Sequence, residues 1–131
     1  MQYLNLIDLI AALAALQAFV FSMLTGAARG KYKIQAPAMT GHEGFERMHR
    51  VQMNTVEQLV VFYPALYIAA KYWSPMWVAA LGTAYLVGRI LYYFQYTRPE
   101  MSRTGGFVIG FFAVAALTLM SIAGAAMVAF K

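Results

Sequence analysis

The stretch "FERMHRVQMNTVEQLVVFYP", residues 45–64, sets charged and amide side chains directly against an apolar run. Arg50, Asn54 and Glu57 lead into Leu59-Val60-Val61-Phe62, in a chain of 131 residues that is 62% hydrophobic and only 11% charged. A soluble domain carries about 25% charged residues, and mean hydropathy here is +0.60. One small core cannot hide that much apolar surface from water. The solvent is largely lipid, where a buried carboxylate needs a partner or a wet cavity.

Working outward from this stretch, four segments are long enough to cross a hydrocarbon core of roughly 30 Å at about 1.5 Å per residue. They are residues 4–28, 45–72, 75–96 and 104–130. Ser74-Pro75 punctuates the chain, with Ser74 suited to an N-cap and Pro75 to the first helical position. Pro64 falls inside the second segment, which a lipid-embedded helix tolerates better than a soluble one. The reading is all-α: a single four-helix membrane domain over residues 1–131. Asp8 near the start, with no basic n-region, reads as a retained span rather than a cleaved signal.

The charges divide by loop. Arg29, Lys31, Lys33, Arg47 and Arg50 flank the first connection, and Arg98 and Arg103 the third. The second has only Lys71. The positive-inside rule places the basic loops in the cytoplasm and both termini on the opposite side. The net charge of +5 follows from these helix-flanking clusters and argues against nucleic acid. There is no cysteine, so any thiol nucleophile must arrive with a ligand. His42 and His49 stand alone, without a second ligand at metal spacing, and a metal site is not expected.

On a helical wheel with Arg50 as zero, Asn54 falls at about 40° and Glu57 at about −20°, with Glu46, Arg47 and Gln58 on the same face. Glu57 lies about 21 Å along the helix from Lys71, well inside the bilayer. Arg89, in "GRILYYFQY", lies about 20 Å down the antiparallel third helix from Met76, at nearly the depth of Glu57. Tyr92, Tyr93 and Tyr96 share its face. Two readings stay open. One is an internal Glu57–Arg89 ion pair with phenols as interhelical glue. The other is a polar pocket for a zwitterionic ligand with several carboxylates, held by arginines, with Glu57 for its ammonium. Gln52 faces away from this stripe. If it also touches ligand, the helix must serve two pockets, as in a ring of subunits.

The spacing Glu46-Arg47-x-x-Arg50-x-Gln52-x-Asn54-x-x-Glu57 resembles the hallmark of the MAPEG family, the membrane-associated proteins in eicosanoid and glutathione metabolism. Arg89, Tyr92 and Tyr96 are similar to its second signature. The resemblance implies a homotrimer that binds glutathione between subunits near the cytoplasmic face. It implies that Arg50, Asn54 and Glu57 hold the tripeptide from one subunit, with Tyr92 and Tyr96 adding contacts. Arg29 and Gln52 would reach in from the neighbour. Arg89 and Tyr93 would support the site. Arg103 matches the arginine that activates the glutathione sulfur in conjugating members, and a tyrosine, Tyr92 or Tyr93, is the second candidate. Gln58 and Gly30 stand where the leukotriene C4 synthase branch has a tyrosine and an arginine.

These features imply a membrane-embedded glutathione transferase, with glutathione as co-substrate and lipophilic electrophiles or lipid hydroperoxides as partners. The hydroperoxides would make it a peroxidase too. Two alternatives remain at this level: a non-catalytic lipid-binding scaffold, and a small four-span exporter coupled through Glu57.

Overall fold

The computed structural model describes residues 4–98, 100 and 104–131. Four helices follow one another: α1 Leu4–Tyr32, α2 Glu43–Tyr72, α3 Pro75–Thr97 and α4 Thr104–Ala129. Each expected segment is present, and the ends have local causes. α1 runs on past Ala28 because Lys33 takes the left-handed conformation (φ 57°), and the Ile34 N–H then closes on the Arg29 carbonyl at 3.0 Å. This 6→1 bond satisfies a carbonyl that the helix would otherwise orphan. α2 begins at Glu43 because the His42 side chain caps it, accepting from the Gly44 N–H at 3.0 Å. Before it, Gly41 has φ 138°, a backbone conformation open mainly to glycine. α3 begins on Pro75 as expected, but Ser74 makes no side-chain capping bond.

The helices run alternately up and down, with α2 and α3 in the middle. α1 packs on one side of that pair and α4 on the other, and among the described residues the α1 and α4 backbones make no close approach. The core lies toward the end with the termini, where Ile7, Ile10 and Ala14 meet Phe62, Leu66, Val78, Tyr85 and Leu117. Side chains bond across the helices to neighbouring carbonyls: Gln17 to Leu86 at 3.0 Å, Tyr63 to Ala11 at 3.1 Å and Ser121 to Ala65 at 2.8 Å. In lipid such bonds help hold helices together, because apolar side chains gain little by leaving one hydrocarbon for another.

Three helices, α1, α3 and α4, are long and apolar enough to cross a membrane. The remaining expected segment, α2, is long enough but less apolar. α2 has 30 residues, but its first half carries the polar stripe. Its contacts with all three other helices shelter it instead.

α3 and α4 approach backbone to backbone through glycines. A Cβ on Gly88 would lie 2.7 Å from the Gly110 nitrogen and 3.1 Å from the Gly106 oxygen. Gly106 and Gly110, four residues apart, form the small-residue face that permits this. Gly26 in α1 has open space around it. Gly88→Ala should therefore lower stability by about 1–3 kcal/mol through overpacking, seen as a lower thermal midpoint in detergent. Gly26→Ala should be neutral or stabilising by up to about 1 kcal/mol from helix propensity.

Candidate functional site at the basic-loop end

The ends of α1 and α3 and the starts of α2 and α4 lie at the same end of the bundle, where they are stitched together by side chains. Arg47 of α2 donates to the Tyr96 carbonyl at 3.1 Å. It brings a cation to the C-terminal end of α3, which has no basic residue in its own last turn. Gln95 of α3 accepts from the Gly106 N–H at 2.8 Å, satisfying an orphan donor in the first turn of α4. Glu46 accepts from the Gly41 N–H at 3.1 Å and draws loop one over the start of α2.

These contacts frame a hollow of about 540 Å³ lined by Glu43, Glu46, Arg47, Arg50, Glu57 and Tyr96, with Met39, His49 and Met53 at its edges. Arg50 and Glu57 form one ion pair across it, at 3.4 Å, with both side chains about half exposed. Exposed pairs are worth about 0–1 kcal/mol. Both groups can therefore part to meet a ligand at little cost.

A second cavity of about 580 Å³ runs down between α2 and α4, lined by Asn54, Glu57, Gln58, Val61, Phe107 and Phe111, then by Val114, Ala115, Thr118 and Leu119. Its walls are mostly hydrocarbon. Glu57 lines both cavities, so the polar hollow and the hydrocarbon-walled groove lie on either side of that residue.

Behind the junction, Arg89 is 1% exposed. It donates to Asn54 Oδ1 at 2.9 Å and lies 4.3 Å from the Tyr92 ring centroid, a cation–π contact. Its Nε and Nη2 find no hydrogen-bond partner, and among the described residues no carboxylate pairs with it. The Glu57–Arg89 ion pair is thus replaced by an amide–guanidinium bond, and Glu57 lies exposed on the face of α2. Because a guanidinium only donates, the Asn54 oxygen must turn toward Arg89. That leaves the Asn54 NH2 group directed away from it.

The remaining candidates separate. Tyr92 is buried between Arg89 and α4, with ring centroids 5.3 Å from Tyr96 and 6.1 Å from Phe107. Tyr93 turns to the other side and stacks on Phe21 of α1 at 5.5 Å; it does not join the hollow. Arg29 donates to the Ala38 carbonyl at 2.7 Å and covers the Phe45 ring at 4.6 Å, so within one chain it pins loop one. Gln52 is half-buried, five residues and about 140° round α2 from Glu57. Arg103 lies outside the described residues. His49, read as a lone histidine, lines the hollow and stacks on Phe45 at 5.6 Å. Met39 comes from loop one, and no periodic signal could have found it. Among the described residues no group of three or more His, Asp or Glu is placed to hold a metal ion.

A bundle with apolar outer helices, whose polar hollow and hydrocarbon-lined groove share Glu57 as a lining residue, can bring a water-soluble and a lipid-soluble molecule close together. The chain belongs to the MAPEG family, whose model matches residues 7–123, and it is an integral membrane protein. It is 36% identical to human microsomal glutathione S-transferase 2 over 121 residues, covering 92% of this chain and 82% of that protein. An uncharacterized protein of Synechocystis sp. is 46% identical over 102 residues, 78% of this chain and 74% of that one. Leukotriene C4 synthase of Cavia porcellus is 34% identical over 88 residues, 67% of this chain and 58% of the enzyme.

The buried cation gives a direct test of the site's architecture. Asn54→Leu removes the amide oxygen bonded to Arg89 and should cost about 1.5–3 kcal/mol, the range for a hydrogen bond to a charged group. Adding Arg89→Met to the same protein should recover most of that loss in thermal unfolding.

Proposed function

We propose that this protein is a membrane-embedded glutathione transferase that activates the glutathione thiol for attack on lipophilic electrophiles. The observation that carries this reading is the placing of Glu57 between the two cavities. Glutathione has two carboxylates and one ammonium. Arg50 suits a carboxylate and Glu57 the ammonium, with Tyr96 and the outward NH2 of Asn54 along the chain between them. The sulfur would then sit at the mouth of the groove, where a lipid-dissolved partner arrives. The names of the human and Cavia porcellus relatives agree with this chemistry.

A free thiol with a pKa of about 8.5 is only a few per cent ionised at pH 7, and each unit of lowering takes about 1.4 kcal/mol of preferential thiolate stabilisation. A guanidinium at the sulfur can supply this in a low-dielectric site, and Arg103 is assigned that role. Tyr92 is the second candidate; Tyr93 drops out because it faces α1. The same thiolate would attack the O–O bond of a lipid hydroperoxide, releasing an alcohol. A second glutathione would then take up the oxidised sulfur as a disulfide and release water.

Arg29 and Gln52 do not line the Glu57 hollow within one chain. Their part in binding belongs to a homotrimer in which one subunit's α2 serves two sites, with the basic loops on the cytosolic side where glutathione is found. An exporter would need polar lining across the full span. Beyond Gln58 this groove is lined chiefly by Val61, Val114, Ala115 and Leu119.

Glutathione added to the purified protein should raise ultraviolet thiolate absorbance, and Arg103→Ala should remove most of the rise. A full signal in that variant would move the activating role to Tyr92. Glu57→Gln should weaken glutathione binding by about 10–100-fold, the loss of one charge-assisted hydrogen bond of about 1.5–3 kcal/mol.

A further inference from the structure

Another hollow, of about 540 Å³, lies at the opposite end of the bundle from the site above, between the start of α1 and the end of α2. It is lined by Leu4, Ile7 and Asp8 from one helix and by Tyr67, Ala70 and Lys71 from the other. Ile7 and Ala70, both buried, close it toward the core. Asp8 stands about 6 Å along α1 from Leu4, and Lys71 is the last residue but one of α2. Both charges therefore sit where headgroups meet hydrocarbon. Both side chains are exposed, yet among the described residues the ammonium and the carboxylate do not pair. Asp8 instead accepts from the Tyr67 hydroxyl at 3.0 Å, and the Lys71 Nζ lies 5.7 Å from the Tyr72 ring centroid. The phenol holds the carboxylate in place and leaves it acceptor sites to spare. An anion and a cation thus face one cavity from its two sides without meeting.

Toward the middle of the bilayer the same helix faces continue as hydrocarbon. Ala11, Ala12 and Ala15 lie within about 60° of Asp8 around α1, and Val60 within about 20° of Tyr67 around α2. Val60 is 73% exposed. These short side chains form an apolar strip leading away from the hollow.

We propose that this hollow binds a phospholipid whose headgroup carries a primary ammonium beside its phosphate, as in phosphatidylethanolamine. The phosphate meets the Lys71 ammonium, the headgroup ammonium donates to Asp8, and an acyl chain lies on the strip. Each half of the pair selects. A compact cation such as that of lysine suits a phosphate. A primary ammonium brings three N–H donors to the carboxylate, whereas a choline headgroup, its nitrogen fully methylated, offers only charge. A headgroup with a phosphate and no cation satisfies Lys71 but brings negative charge toward Asp8. The bound lipid would bridge the ends of α1 and α2 beside the Tyr67–Asp8 bond. Nothing in this site depends on the glutathione reading.

Native mass spectrometry of the detergent-purified protein, titrated with dioleoyl phosphatidylethanolamine, phosphatidylcholine or phosphatidylglycerol, gives the affinity of the first lipid bound per chain. Wild type should bind the ethanolamine lipid about 3–10-fold tighter than either of the others, the effect of a charge-assisted hydrogen bond at an exposed site. Asp8→Asn should bring the ethanolamine lipid to the affinity of the choline lipid, while Asp8→Glu should keep the preference. Lys71→Gln should weaken both by a similar factor and leave their ratio unchanged. Equal affinities for the two in wild type, a comparison that needs no variant to fold, would overturn the proposal. A preference that survives Asp8→Asn would do the same. Tightest binding of the glycerol lipid would also overturn it, because Lys71 would then act as a lone cation at the membrane surface.

Discussion

Arg89 is a guanidinium held in the middle of a lipid-embedded bundle with no carboxylate beside it among the described residues, and the site is organised around that constraint. Placing an arginine at the centre of a membrane helix costs about 2.5–3.5 kcal/mol even on the mildest scale. Packing alone would favour an aliphatic residue. Asn54 and Tyr92 share the charge instead, one through its amide oxygen and one through its ring. An amide partner does not cancel the charge as a carboxylate would. It leaves a positive field behind the junction of the two cavities and fixes which way the Asn54 NH2 group points. It also leaves Glu57 uncommitted, facing the hollow in a weak pair with Arg50.

The same economy of polar groups shapes the rest of the basic-loop end. Arg47, Gln95 and His42 each satisfy a backbone group near a helix end. In doing so they hold α2, α3 and α4 around the hollow. At the other end, Tyr67 donates to Asp8 and Trp73 to the Met120 carbonyl, tying α2 to α1 and the following turn to α4. Between these ends the glycine contact of α3 with α4 brings the aromatic face of α4, Phe107 and Phe111, beside α2 as the wall of the groove. Close helix packing and the polar hollow thus together create a place where an apolar molecule lies against a charged one.

Much of this was legible in the residues. The wheel angles of Arg50, Asn54 and Glu57 put them on one face, and the structure keeps them around the junction. The partner of Arg89 was not legible. Asn54 and Glu57 differ by only about 4.5 Å in depth along α2, so depth could not choose between them; burial chose, because the amide enters the bundle more cheaply than the carboxylate. Tyr92 and Tyr93 read as one face because a wheel does not show what stands on either side of α3. With α1 and α4 on opposite flanks, adjacent tyrosines go to opposite neighbours, Tyr93 to Phe21 and Tyr92 toward Phe107. The end of α1 was set by a left-handed Lys33, which residue type alone does not announce. The groove was hidden for a related reason: its walls come from helices far apart in the chain, and α4 has no polar pattern to orient it.

The central claim is that a charged thiol tripeptide and a lipid-borne electrophile meet beside Glu57. A structure of the glutathione-loaded protein in a lipid environment tests this most directly. The account predicts the tripeptide between Arg50 and Glu57, with its sulfur at the mouth of the α2–α4 groove. Glutathione bound away from Glu57, or a lipid tail occupying the polar hollow in its place, would contradict it.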